Sequence, residues 1–159
     1  MRRLTPLVAF LIAAFGTLMP LADAAGQCAS GADQSVNDIQ ALRTQILVLT
    51  LSCGQQAAYN SFVLRFRPVL QANDRDVSAW FQRAYGAAGE ARKDTFVTDL
   101  SNTMSQTAER SGGRTCAFAA QTFNELNGLR SSDQLPAYAA AKRLSPPGLS
   151  MCQGAARSR

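Results

Sequence analysis

Residues 53–70 read CGQQAAYNSFVLRFRPVL, and how this stretch is divided into helices decides the topology of the chain. At about 100° per residue, Tyr59, Phe62, Val63, Phe66, Val69 and Leu70 fall within an arc of about 120°, a core-facing stripe on one helix. Arg65 and Arg67 stand on opposite rims of that stripe, about 160° apart, so they cannot close together on one anion while the segment is helical. Pro68 lies opposite the stripe. A proline in a helix interior costs about 3 kcal/mol through its missing N–H and its ring clash. On the solvent side, however, the carbonyl of Leu64 stays open to water, and the spacing predicts a helix kinked at Pro68 rather than broken there. The competing division ends the helix at Arg67, because a residue before proline is pushed out of the α region.

Upstream, Ile39, Leu42, Ile46, Leu49 and Cys53 recur at alternating steps of three and four. They predict a first helix from near Ser35 that stops at Gly54. Downstream, Asn73 or Asp74 offers an N-cap for a separate third helix carrying Val77, Trp80, Phe81, Ala84 and Tyr85, broken by Gly86 and Gly89. A fourth helix is predicted from Glu90 to Arg110 with Phe96, Val97, Leu100, Met104 and Thr107 along one side. After the Ser111-Gly112-Gly113 turn, a fifth carries Cys116, Ala119, Phe123, Leu126 and Arg130, and Pro136 opens a short alanine-rich helix to Leu144. No strand pattern of any length occurs. The reading is an all-α, compact bundle of four to five helices with two disulfides.

The first 24 residues have the three-part layout of a secretory signal peptide. Arg2 and Arg3 precede an apolar run from Leu7 to Met19, and Ala22-Asp23-Ala24 supplies a small-residue cleavage site. The run falls short of the roughly 18 to 20 apolar residues that a retained anchor needs. Cleavage after Ala24 is expected to deliver the chain to the periplasm with no stable membrane anchor. It leaves a helical domain over 25–145 and a flexible basic tail over 146–159.

Export gives the four cysteines their meaning, since an even number in an oxidising compartment reads as disulfides. With five helices alternating up and down, Cys28 and Cys116 fall at one end and Cys53 and Cys152 at the other, which predicts the pairs Cys28–Cys116 and Cys53–Cys152. A metal site is the competing reading, but the cysteines are widely spaced and the chain holds no histidine. Gln27 and Ala25 are also the wrong residues for a lipid anchor on Cys28. The missing histidine removes Ser-His-Asp and Cys-His catalysis and histidine ligation of haem or zinc. Nor is there a Cys-x-x-Cys pair for redox exchange. No cofactor is called for. The net charge of +5 suits an anionic envelope component but not nucleic acid, which demands denser basic patches.

The segment Tyr59-Asn60-x-Phe62-Val63-x-Arg65-Phe66-Arg67-Pro68, with Phe96-Val97-Thr98-Asp99-Leu100-Ser101-Asn102 further on, resembles short exported proteins of alphaproteobacteria. These share a YNxFVxRFRPxL core and a later YVTxLAN-like segment. The resemblance covers roughly residues 40–120, departs at Phe96 and Ser101, and implies a periplasmic helical protein with no activity to transfer.

Carboxylates are the acid–base groups that remain. Glu90 and Asp94 sit where they favour the amino end of a helix. Asp99 borders the apolar stripe and is expected to form a structural ion pair with Arg65 or Arg67; as a glycosidase acid it would need a second carboxylate across a cleft. Thr95, Thr98, Ser101, Asn102, Ser105 and Gln106 read as a solvated outer face, with a glycan- or peptide-binding face as the sharper alternative. Together these features point to a non-catalytic periplasmic interaction protein, an adaptor or assembly factor whose partner is a periplasmic protein or an anionic envelope component. The alternatives are a histidine-free enzyme acting on envelope glycans or peptides, and a bundle that binds a small ligand.

Overall fold

The computed structural model describes residues 29–144, and helices make up nearly all of them: α1 (Gly31–Cys53), α2 (Gln56–Tyr85), α3 (Gly89–Ser111), α4 (Arg114–Gly128) and the short α5 (Leu135–Lys142). Single 3-10 turns, Gly86–Ala88 and Ser132–Gln134, precede α3 and α5. The all-α bundle is as the periodicity predicts. The expected signal peptide over 1–24, the expected basic tail over 146–159, Cys28 and Cys152 lie outside the described residues.

The first helix begins at Gly31 rather than near Ser35, because Ser30 and Asp33 form a capping box. The Ser30 hydroxyl accepts from the Asp33 N–H at 3.2 Å, and the Asp33 carboxylate accepts from the Ser30 N–H at 2.9 Å. Two amino-terminal donors are thereby satisfied. The helix ends where expected, with Gly54 in the left-handed conformation at φ 65°. This helix is the hub of the bundle and touches each of the other four. It is therefore buried on more than its apolar face: Asn37, Asp38, Gln40, Thr44 and Thr50 are all buried. The two threonine hydroxyls turn back on the helix, Thr44 Oγ1 donating to Gln40 O at 3.0 Å and Thr50 Oγ1 to Ile46 O at 2.8 Å, which removes most of the cost of burying them.

The stretch at residues 53–70 opens a helix of 30 residues, α2, which runs on through Pro68 to Tyr85. The predicted stripe is the buried one: Phe62, Phe66 and Leu70 are 4%, 1% and 4% exposed, whereas Pro68 and Leu64 face solvent. The expected new start at Asn73 or Asp74 does not occur. Asn73 is buried, with its side-chain amide 3.5 Å from Gln40 Oε1, and Asp74 pairs with Arg43 of α1. Both capping candidates point sideways to the hub helix, and no helix begins.

That merger corrects the disulfides. With one reversal fewer, the start of α4 returns to the end where α1 finishes, and Cys53 is bonded to Cys116 across a Cα–Cα distance of 5.4 Å. The expected pairs Cys28–Cys116 and Cys53–Cys152 are both incompatible with this bond. It closes a loop with a sequence separation of 63 and contributes about 2–4 kcal/mol.

Packing divides unequally. A main core gathers Ile39, Leu42, Ile46, Phe62, Phe66 and Leu70 with Phe123, Leu126, Leu135 and Ala139 from α4 and α5. A smaller aromatic cluster of Val77, Trp80 and Phe81 lies toward the far end of α2, with Tyr85 and Phe96 against it. There α3 crosses closely on Gly89, where a Cβ would stand 2.8 Å from the Phe81 carbonyl oxygen. Among the described residues no helix is long and apolar enough to cross a membrane.

Candidate functional site: a groove walled by α3

Of the 23 residues of α3, only Gly89 and Leu100 are buried. The helix is held at its two ends. Phe96 packs on Phe81 with ring centroids 5.5 Å apart, and at the other end Thr115 Oγ1 of α4 donates to Ala108 O at 2.7 Å. Between these points α3 stands off from α4 and leaves a groove of about 900 Å³, toward the top of the roughly 300–1,000 Å³ range of small-molecule sites.

Two rows of α3, each repeating every four residues, line it. Phe96, Leu100, Met104 and Ala108 form the apolar row; Thr95, Asp99, Thr103, Thr107 and Ser111 form the polar one. The floor is Gln45, Val48 and Leu49 of α1. Trp80, Phe81 and Tyr85 close one end, and Phe118 of α4, 41% exposed, forms part of the opposite wall. Hydroxyls of the polar row bond their own helix: Thr95 donates to Ala91 O, Thr107 to Thr103 O and Ser111 to Thr107 O, each at 2.9 Å. With their protons engaged, these side chains offer the groove acceptor lone pairs and, from the threonines, methyl groups.

Charge at the groove is one-sided. Among the described residues Arg92, Arg114 and Arg143 line it against a single carboxylate, Asp99. Among the described residues the ion pairs found are Arg43–Asp74, Arg83–Asp33, Lys93–Glu90 and Lys142–Glu125; none of the four groove charges takes part. Arg92 rests over the Tyr85 ring at 5.8 Å. On the floor, Gln45 Oε1 is buried with no hydrogen-bond partner among the described residues, an expensive position for an acceptor.

Arg143 reaches the groove because of a latch between α4 and α5. Lys142, Gln121 and Tyr138 all donate to the Glu125 carboxylate, Gln121 at 2.9 Å and Tyr138 at 2.8 Å. These bonds, that of Lys142 foremost, hold the Glu125 pKa down to about 2. Burial, with the carboxylate beside it, pushes the Tyr138 phenol well above its ordinary range. The latch fixes Lys142, and the next residue, Arg143, caps α5 in the left-handed region at φ 51°.

The residues expected to form an ion pair are not brought together. Arg65 instead donates to the carbonyls of Asn127, at 2.9 Å, and Leu129, a cation at the carboxyl end of α4 where the helix dipole favours one. Arg67 is exposed, and Asp99 lies across the bundle on the groove. As the only carboxylate lining the groove among the described residues, Asp99 lacks the second group that a two-carboxylate mechanism requires. Part of the expected outer face is as read, since Thr98, Asn102 and Gln106 are exposed, but Thr95 turns into the groove. The double four-residue row was the signal for this site; it reads as a groove once the bundle is known to be unfilled.

No family model, no curated protein and no solved structure matches this chain. What the groove does is therefore argued from its own chemistry.

Proposed function

We propose that the chain is a non-catalytic binding protein of the cell envelope, exported to the periplasm by its leader, that holds an anionic envelope component in the α3 groove. The observation that carries this reading is the groove itself, with an apolar row along its length and edged by arginines that join none of the ion pairs found among the described residues. Ligand pockets are mostly apolar with a few placed polar groups, and this one fits that description, whereas the acid–base pair of a glycosidase has only one candidate member there. The resemblance of the Tyr59–Pro68 segment to short exported proteins belongs to the same proposal. So does a second disulfide, which by elimination would join Cys28 to Cys152.

Purification from a periplasmic fraction tests the reading. Native mass spectrometry is expected to find a non-covalent small molecule on a chain that starts at Ala25 and carries two disulfides. A chain recovered empty, yet crosslinked to one protein through the outer residues of α3, would replace ligand binding with the adaptor reading.

A further inference from the structure

We propose that the ligand is a single-chain anionic amphiphile, its alkyl chain lying along the apolar row of α3 and its head on arginine at one end of the groove. This rests on reading the groove as a binding site, and three observations carry it further.

The first is shape. From Arg92 to Ser111 the groove follows α3 for about 28 Å at 1.5 Å per residue, with apolar side chains recurring along the way at Phe96, Leu100, Met104 and Ala108. A compact ligand such as a free sugar or an amino acid would leave most of this length uncovered. An extended chain covers it.

The second is the supply of hydrogen-bond donors. A glycan needs donors and acceptors together, but the hydroxyls of Thr95, Thr107 and Ser111 have their protons committed to backbone carbonyls. They flank an alkyl chain without demanding partners from it, because a threonine side chain presents its methyl group as readily as its oxygen.

The third is charge. Among the described residues Arg92, Arg114 and Arg143 line the groove against Asp99 alone, an excess of two positive charges, with Arg92 toward the Phe96 end and Arg114 beyond Ser111 at the other. Guanidinium forks bind carboxylate and phosphate through paired, charge-assisted hydrogen bonds. A neutral or cationic head gains nothing from them.

A displacement assay on the folded, disulfide-bonded mature chain tests this. The neutral dye N-phenylnaphthylamine reports occupancy of the groove, and monomeric palmitate, hexadecyl phosphate, hexadecanol and hexadecyltrimethylammonium compete with it. Palmitate and hexadecyl phosphate are expected to displace the dye at concentrations at least about tenfold below those of the other two. Replacing all three arginines (R92Q, R114Q, R143Q) is expected to erase the preference while dye binding persists. Equal displacement by all four chains overturns the anionic head but leaves the groove as a binding site. No dye binding by protein of native helicity, or unchanged binding in a groove-filling Ala108→Trp variant, overturns the groove reading itself.

Discussion

The two sides of the hub helix are built from the same kind of repeat and come out differently. On α2, six bulky apolar side chains spread over about 120°, and α1, α4 and α5 close on them, so that Phe66 is 1% exposed. On α3 the apolar row is narrow and tapers from Phe96 to Ala108, and a row of threonines and a serine runs beside it. A wide stripe has neighbours on both flanks; a narrow one can be met from one side only. The α3 helix meets the bundle at its two ends and through Leu100 at its middle, 3% exposed, and leaves the flank of this row facing a groove. Amphipathic spacing thus says which face of a helix is apolar, but the width of the stripe decides whether that face becomes core.

The strongest way to break the comparison is to truncate equivalent residues on the two sides. Phe66→Ala is expected to cost about 3–5 kcal/mol in urea unfolding, through lost burial and the cavity left behind. Met104→Ala, on the half-buried α3 row, is expected to cost less than about 1 kcal/mol, since surface-side changes outside a packed core usually stay small. Comparable losses at both positions would mean that α3 is as much core as α2.

Much of the packed side could be read from residue types. The stripe from Tyr59 to Leu70, the stop at Gly54 and the solvent-side proline all follow from spacing and backbone chemistry. Asn73 and Asp74 misled because asparagine and aspartate serve equally as N-caps and as lateral partners, and only the presence of Gln40 and Arg43 opposite them selects the second role. One misplaced helix start reversed the parity of the bundle and with it the cysteine pairing. The central position of α1 was hidden for a related reason. Its buried Gln40 and Thr44 carry polar labels and find partners in α2 and in α1 itself, and Asn37 donates to the Asp33 carbonyl while its own Oδ1 has no partner among the described residues. The groove left both its rows in the sequence, but a row does not reveal how little of it the neighbouring helices cover.

The α4–α5 latch sharpens the comparison at intermediate effect, because it ties the packed side to the groove through Arg143. Glu125 has its pKa held to about 2, below the ordinary 4.5. A carboxylate lowered on folding adds stability above its unfolded pKa and loses it as pH falls toward the folded value. The thermal midpoint is therefore expected to fall as pH is taken from about 4.5 to about 2. A Glu125→Gln variant, with no carboxylate to protonate, should start lower and lose less across that window. Parallel pH profiles for the two proteins would show that the latch adds nothing to the fold.

The smallest effect belongs to the groove floor. Gln45 Oε1 is buried with no hydrogen-bond partner among the described residues, whereas the buried threonines of the same helix are satisfied by α1's own carbonyls. Replacing a buried unpaired polar group by an apolar one of similar size is neutral to stabilising. Gln45→Leu is accordingly expected to raise the thermal midpoint slightly, by less than about 1 kcal/mol equivalent, and to tighten palmitate binding. Leucine meets an alkyl chain without stranding an acceptor beneath it. Thr44→Val, one residue away, removes a hydroxyl that already has its partner and should show neither gain. If Gln45→Leu instead weakens palmitate, the floor contributes a polar contact to the ligand, and the contrast between the satisfied threonines of α1 and its unsatisfied glutamine on the groove has to be redrawn at that residue.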